Sequence, residues 1–382
     1  MRENINPFFN RPTPPAWNPT FYLCDHNDTS SLITKIENAT ESTHTPSEEH
    51  PALDLTPSSS ISINGCIPVP RILTPNEDLR VPAHFQLNQF NIKQRIGSGH
   101  SSQVYLAQHV MNHQLYAIKA IDKQLIVTET QMRHIYDEKQ VLMTVHHPFL
   151  MRLWGTFQTG QYLHLVTEYL PGGELSRLMK KKFSEDQARF YAAEIVSALE
   201  HLHQRDIVYR DLKPENVVLD SRGHVKLIDF GFAKVLKEVT FTLCGTPDYL
   251  APEIIRARGY TQDVDWWSLG VFIFEMLVGV TPFFAETPME LYQNILLCDI
   301  NWMCDMSTEA KDLIQGLLQS KPKDRFKIDD IKAHPWFSAI DFDQLSNMTA
   351  PFIPEQVNHS NNQVFTQFYD ISEHQDDRFN TF

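Results

Sequence analysis

Tyr209, Arg210, Asp211, Leu212, Lys213, Pro214, Glu215 and Asn216 run together in the chain, and Asp229, Phe230 and Gly231 follow after a short hairpin-like stretch. Residues of these types in this order supply a base, a phosphate-contacting lysine and two magnesium ligands, the polar equipment for moving the terminal phosphoryl group of ATP. That group passes through a loose transition state, so the protein's task is to hold attacker, phosphorus and leaving oxygen in line and to neutralise charge. Asp211 can accept the proton of a substrate hydroxyl, and Lys213 can neutralise the transferring phosphate. Asn216 and Asp229 are hard oxygen ligands of the kind Mg²⁺ takes together with phosphate and water.

Upstream, Ile96 leads into Gly97, Ser98, Gly99, His100, Ser101, Ser102, Gln103 and Val104. Such a glycine pattern by itself also fits a plain tight turn between two strands. Its context decides for a phosphate loop, because Tyr116, Ala117, Ile118 and Lys119 follow on what reads as the third strand. A lysine in an apolar strand is costly to bury unless it is paired.

Taken together, these motifs resemble those of the eukaryotic protein kinases, and within them the AGC group that includes the cAMP-dependent kinases, over about Phe85 to Phe382. The resemblance implies an α+β, bilobal protein-kinase fold. A kinase domain is expected over 90–337, with a β-rich small lobe at about 90–169 and a mainly helical large lobe at about 170–337. An AGC-type tail over 338–382 would follow, beginning at Ala350 to Pro354 and ending in Phe379, Asn380, Thr381 and Phe382, with Phe365 and Phe368 reaching the nucleotide cleft. It nominates Glu138, in a helical stretch from about Gln131 to Thr144, as the partner of Lys119, and gives Glu168 and Leu170 backbone contacts to adenine with Thr167 behind. Ser102 departs from the family, which has glycine there, and Ser372 is the tail residue in a phosphosite position.

Asp229 to Glu253 resembles an activation segment, with Thr242 at the phosphorylated position and Arg210, Lys234 and His134 as the cations around it. Glu174, Glu215 and Glu275 match positions that hold arginines before the target residue, while Leu243, Pro247 and Leu250 match the apolar pocket just after it. Glu253 with Arg325, and Asp265 alone, resemble structural acids and bases of the large lobe; Leu142, Leu153, Tyr209 and Phe230 match an internal apolar stack. The expectation is a serine/threonine kinase using ATP and Mg²⁺ on protein substrates with basic residues. A cAMP-binding regulatory subunit is the further partner the resemblance leaves open. A catalytically silent scaffold of the same fold would lack one of Lys119, Asp211, Asn216 or Asp229, and all are present. A small-molecule phosphotransferase would need no peptide-docking segment.

The elements that must position these residues are legible in outline. Residues Phe90 to Ile121 and Leu163 to Tyr169 alternate like strands, and beyond Gly172 and Gly173 the period becomes helical. Ser184 and Gln187 make a capping box, after which Tyr191, Ile195, Leu199 and Leu202 mark one face. The longest apolar stretch, Trp266 to Val280, carries Glu275 and reads as a buried helix, so no membrane span is expected.

Composition agrees. The chain has 382 residues, 42% of them apolar, enough to fill real cores. Thirty-three basic residues against forty-seven acidic ones argue against a general nucleic-acid binder. Residues 1–83 hold twelve of the 23 prolines and read as a disordered extension, with Phe8, Phe9, Trp17, Phe21 and Tyr22 as an aromatic cluster inside it. Cys24, Cys66, Cys244, Cys298 and Cys304 show no metal-like pairing. Nothing near Met1 looks like a targeting or myristoylation signal, so the expected location is the cytoplasm, with the nucleus as a second one.

Overall fold

The computed structural model describes residues 85–99, 101–302, 305–355, 376–380 and 382. The N-terminal extension and its aromatic cluster, His100, Cys304, Phe365, Phe368 and Ser372 lie outside the described residues.

Alternating side chains build the first lobe. Strands β1 (Phe90–Ser98), β2 (Ser102–His109) and β3 (Leu115–Asp122) join β4 (Leu153–Gln158) and β5 (Tyr162–Glu168) in an antiparallel sheet of order β1-β2-β3-β5-β4. Phe90, Ile92, Tyr105, Tyr116, Ile118 and Val166 close one face of it. Helix α1 (Glu129–Thr144) lies between β3 and β4. It starts ahead of the expected Gln131 because Thr128 and Gln131 form a capping box, hydroxyl to Gln131 N–H at 3.2 Å and amide oxygen to Thr128 N–H at 3.1 Å.

After β5 the chain turns helical. β6 (Gly173–Glu174) and α2 (Leu175–Leu178) lead to α3 (Glu185–His203), whose first turn is closed by Ser184 and Gln187. Two hairpin-like pieces follow: β7 (Ile207–Val208) pairs with β10 (Lys234–Val235), and β8 (Val217–Leu219) lies between β6 and β9 (Val225–Leu227). Next come α4 (Pro252–Ile255), α5 (Asp263–Val278), α6 (Pro288–Leu297), α7 (Thr308–Leu317) and α8 (Ile328–Ala333). The apolar stretch expected to reach Val280 stops earlier, at Gly279, whose left-handed φ of 89° ends the helix.

One large apolar core runs between α3 and α5 and takes in Leu142, Tyr209 and Phe230, with Leu153 packed against it. The Tyr209 and Phe230 rings meet edge-on at 5.5 Å. Two buried ionic ties brace the lobe. Arg325 forks onto Glu253 at 2.9 and 3.1 Å, and Asp265 accepts the N–H groups of Tyr209 (2.9 Å) and Arg210 (2.8 Å) while His203 Nε2 lies 2.8 Å away. Unpaired, such buried charges would be strongly unfavourable.

The last described residues dock on the small lobe. Phe379 is fully buried and its carbonyl accepts Gln158 Nε2 at 3.1 Å; the Phe382 carbonyl accepts Thr156 Oγ1 at 3.2 Å. The Lys139 ammonium lies 4.6 Å over the Phe382 ring, and Arg378 donates to the Ile126 carbonyl at 3.1 Å. Both phenylalanines are thus pinned on β4 and α1, and full burial of the Phe379 ring contributes about 1.5–3 kcal/mol.

Candidate active site

The polar groups come from the loop after β7, the loop after β9, the first sheet and α1. Asp211 follows β7, on a loop whose backbone is fixed by Asp265 and whose preceding residue, Arg210, has a left-handed φ of 69°. Asp211 is 3% exposed. Its Oδ2 accepts Lys213 Nζ at 2.8 Å and Asn216 Nδ2 at 2.7 Å, and its Oδ1 accepts Thr246 Oγ1 at 3.1 Å. Burial raises the Asp211 pKa from its ordinary value, with Lys213 opposing. Lys213 and Asn216 are therefore brought onto the same carboxylate. Thr246 joins them, although sequence reasoning gave it no role; the only signal was a hydroxyl directly before Pro247 in the segment.

Asn216 and Asp229 sit at the ends of one hairpin: β8 begins just after Asn216, β9 ends just before Ile228 and Asp229, and Ile228 N–H bonds the Asn216 carbonyl at 2.9 Å. Asn216 uses Nδ2 on Asp211, leaving its oxygen as the ligand atom, and Asp229 is half-exposed. Two oxygen donors fit Mg²⁺, which is held by one or two protein groups plus phosphates and waters. Among the described residues no group of three or more His, Cys, Asp or Glu could hold a metal by itself. A cation here would thus depend on phosphate oxygens.

Lys119 projects from β3 and its Nζ lies 2.6 Å from Glu138 of α1 and 3.9 Å from Asp229 Oδ1. Burial raises the Glu138 pKa and Lys119 pulls it back. The sheet, the helix and the loop after β9 thus meet at one ammonium. Beyond β1, Gly99 N–H bonds the Ser102 carbonyl at 2.7 Å, closing the loop. Gly97 faces Val104, Ile96 is exposed, and the Ser101 carbonyl accepts Asp122 N–H at 2.9 Å. Ser98 ends β1 opposite Gln103, and Ser102 already belongs to β2, paired with Ile121, an extended conformation that serine adopts without strain.

At the end of β5, the Glu168 carboxylate accepts Lys226 Nζ and Arg152 N–H, both at 2.8 Å. Thr167 is buried and donates to the Ala117 carbonyl at 3.3 Å, and Leu170 follows, half-buried.

In the segment after Asp229, Thr242 is exposed, with its hydroxyl 3.4 Å from that of Thr240. Lys234 donates to Thr240 at 3.0 Å, not to Thr242 itself. Arg210 donates through Nε to the Phe232 carbonyl at 2.6 Å and through a terminal nitrogen to the Tyr260 hydroxyl at 3.2 Å. Burial, with Arg210 next, lowers the His134 pKa below the usual imidazole value in the chain without a phosphate on Thr242. Tyr260 is the residue here that sequence reasoning passed over.

The acidic face is spread over three elements. Glu174 in β6 accepts Ser176 Oγ at 3.0 Å, Glu215 is exposed on the turn before β8, and Glu275 of α5 accepts the Tyr249 hydroxyl. Burial, followed by Glu275 and then Glu215 and Asp248, drives the Tyr249 pKa far up, so Glu275, Glu215 and Asp248 share one neighbourhood. Leu243 is half-buried, Pro247 opens a turn and Leu250 is buried beside Gly245. Gly245 has φ 115° and a Cβ there would stand 2.9 Å from the Arg210 carbonyl, which ties this pocket to the catalytic loop.

The family profile for the protein kinase domain matches residues 90–337. The chain is 44% identical over 268 residues to cAMP-dependent protein kinase type 3 of Saccharomyces cerevisiae, covering 68% of this chain and 67% of that protein. It is 44% identical over 299 residues to a cAMP-dependent protein kinase catalytic subunit of Schizosaccharomyces pombe, covering 75% and 58%. Against the human cAMP-dependent protein kinase catalytic subunit PRKX it is 40% identical over 297 residues, covering 75% and 82%. The chain thus spans roughly half to two thirds of the length of the first fungal relatives it matches.

Proposed function

The chain belongs to the protein kinase family, and from that premise we propose that it transfers the terminal phosphoryl group of ATP to serine or threonine hydroxyls in peptides carrying arginine. The observation that carries the reading is the meeting of three elements at Lys119, 2.6 Å from Glu138 and 3.9 Å from Asp229. An ammonium fixed in this way is placed to hold nucleotide phosphates over the carboxylates below. Asp211, anchored by Lys213, Asn216 and Thr246, orients the substrate hydroxyl and takes its proton. Lys213, beside the same carboxylate, offsets charge on the transferring group. Mg²⁺ held by Asn216 and Asp229 would neutralise the phosphates when bound.

Glu174, Glu215 and Glu275 are the carboxylates proposed to receive arginine forks, and Leu243, Pro247 and Leu250 the pocket for the apolar residue that follows the target. A phosphate on Thr242 would add about −1.5 to −2 charge next to Lys234 and Arg210 and tie the segment to the catalytic loop. The relatives' names motivate a cAMP-binding regulatory subunit as partner, and a cytoplasmic setting is proposed with it. No helix among the described residues is long and apolar enough to cross a membrane.

The test is transfer of labelled phosphate from Mg·ATP to a panel of serine peptides. Arginine-bearing peptides should be labelled, and Asp211→Asn should lower kcat about 10²–10⁴-fold. A panel showing no preference for basic residues would refute the substrate class, and wild-type turnover by Asp211→Asn would refute the assignment of the base.

A further inference from the structure

Tyr260 binds three parts of the site and has no place in the chemistry above. It lies between α4 and α5 and is 3% exposed. Its backbone pairs with Thr240 in both directions, Thr240 N–H to Tyr260 O at 3.0 Å and Tyr260 N–H to Thr240 O at 2.9 Å. Its hydroxyl donates to the Thr242 carbonyl at 2.6 Å and accepts from Arg210 at 3.2 Å. The preceding residue, Gly259, makes the approach possible: a Cβ there would stand 3.0 Å from the Phe241 ring and 3.3 Å from Val239. Residues 239–242 of the segment therefore lie directly on the 259–260 backbone. Arg210, on the other side of the hydroxyl, immediately precedes Asp211 and is otherwise tied to Phe232 and Asp265.

We propose that the Tyr260 hydroxyl is a positioning group that seats Arg210 and the Thr242 backbone against each other before any phosphate is attached. This rests on the kinase reading and deepens it. The Tyr260 hydroxyl and a phosphate on Thr242 would act on the same pair of elements, so they are partly redundant. With the phosphate present, charge-assisted bonds from Arg210 and Lys234 hold the segment. Without it, the hydroxyl is what remains between catalytic loop and segment. Burial pushes the Tyr260 pKa up, so the hydroxyl keeps its proton and stays a donor at working pH.

The experiment is a double-mutant cycle on the full chain, because redundancy appears as non-additivity. Tyr260→Phe keeps the ring and removes only the hydroxyl. In a Thr242→Ala background it should lower kcat about tenfold more, the size expected for one buried hydrogen bond to a charged group. In chain phosphorylated on Thr242, checked by mass spectrometry, the loss should stay under about threefold. KM for ATP should move little in either case, and the shift in urea midpoint caused by Tyr260→Phe should be the same in both backgrounds. A purely structural role would give equal fold-losses in kcat, and that result overturns the proposal. So does a Thr242→Ala chain with no measurable turnover, since the hydroxyl alone would then hold nothing in place. Failure of phosphorylated wild type to label any peptide would overturn the kinase reading itself, whereas equal losses in an active enzyme overturn only the role of Tyr260.

Discussion

Glu194→Gln is expected to stabilise the protein, and by an amount that depends on pH. Glu194 sits on α3 under the β8–β9 turn, fully buried, 2.5 Å from His224 Nδ1 and accepting Val225 N–H at 2.8 Å. Burial, opposed by those contacts, pushes its carboxyl from an ordinary 4.5 up to about 7. Each unit of such a shift is about 1.4 kcal/mol of preference for the protonated form, so the whole displacement corresponds to about 3 kcal/mol. The folded chain keeps this proton to higher pH than the unfolded chain does. Its contribution to stability is therefore complete below about pH 4.5 and is lost as the pH rises through 7. Glutamine has the same shape, can still accept one of the two bonds and does not titrate. The stability of Glu194→Gln minus that of the parent, from urea unfolding at pH 5, 6, 7 and 8, should thus grow by about 2–3 kcal/mol across the series. A difference that is flat with pH, or that grows on acidification, would refute the reasoning. The position matters for function, because β8 and β9 carry Asn216 and Asp229 at the opposite end of the same hairpin.

Arg325→Met should destabilise the chain by about 3–5 kcal/mol in urea unfolding at neutral pH, because it strands the buried Glu253 carboxylate without its forked partner; a shift below about 1 kcal/mol would show that the pair is solvated. Ser102→Gly should change the apparent KM for ATP by only about two- to fivefold, since Ser102 already lies in an extended strand that either residue can adopt. Complete loss of nucleotide binding in that variant would contradict this account of the loop.

Much of the candidate site is local in sequence and for that reason legible in it. Asp211, Lys213 and Asn216 lie on one turn, and a lysine inside an apolar strand announces that it needs a partner. The partner's identity came from resemblance, as periodicity places Glu138 on a helix without saying which residue of the sheet it meets. The same holds for the hinge and the acidic face, whose members come from β6, the turn before β8 and α5. Boundaries were less legible than elements. The start of α1 was set by a side-chain cap at Thr128 and the end of α5 by a left-handed glycine, both decided by one or two hydrogen bonds and not by hydrophobic period.

Residue types and spacing were enough to determine that this chain makes a small β-rich lobe followed by a helical one, and which chemistry its polar residues suit. Only the tertiary structure decided that burial and Arg210 lower the His134 pKa, that Lys234 bonds Thr240, that Thr246 bonds Asp211, and that Tyr260 joins the catalytic loop to the segment. The physical reason is that charge state and hydrogen-bond partner depend on burial and on neighbours far away in the chain. Those are properties of the packed interior, which local propensity does not encode.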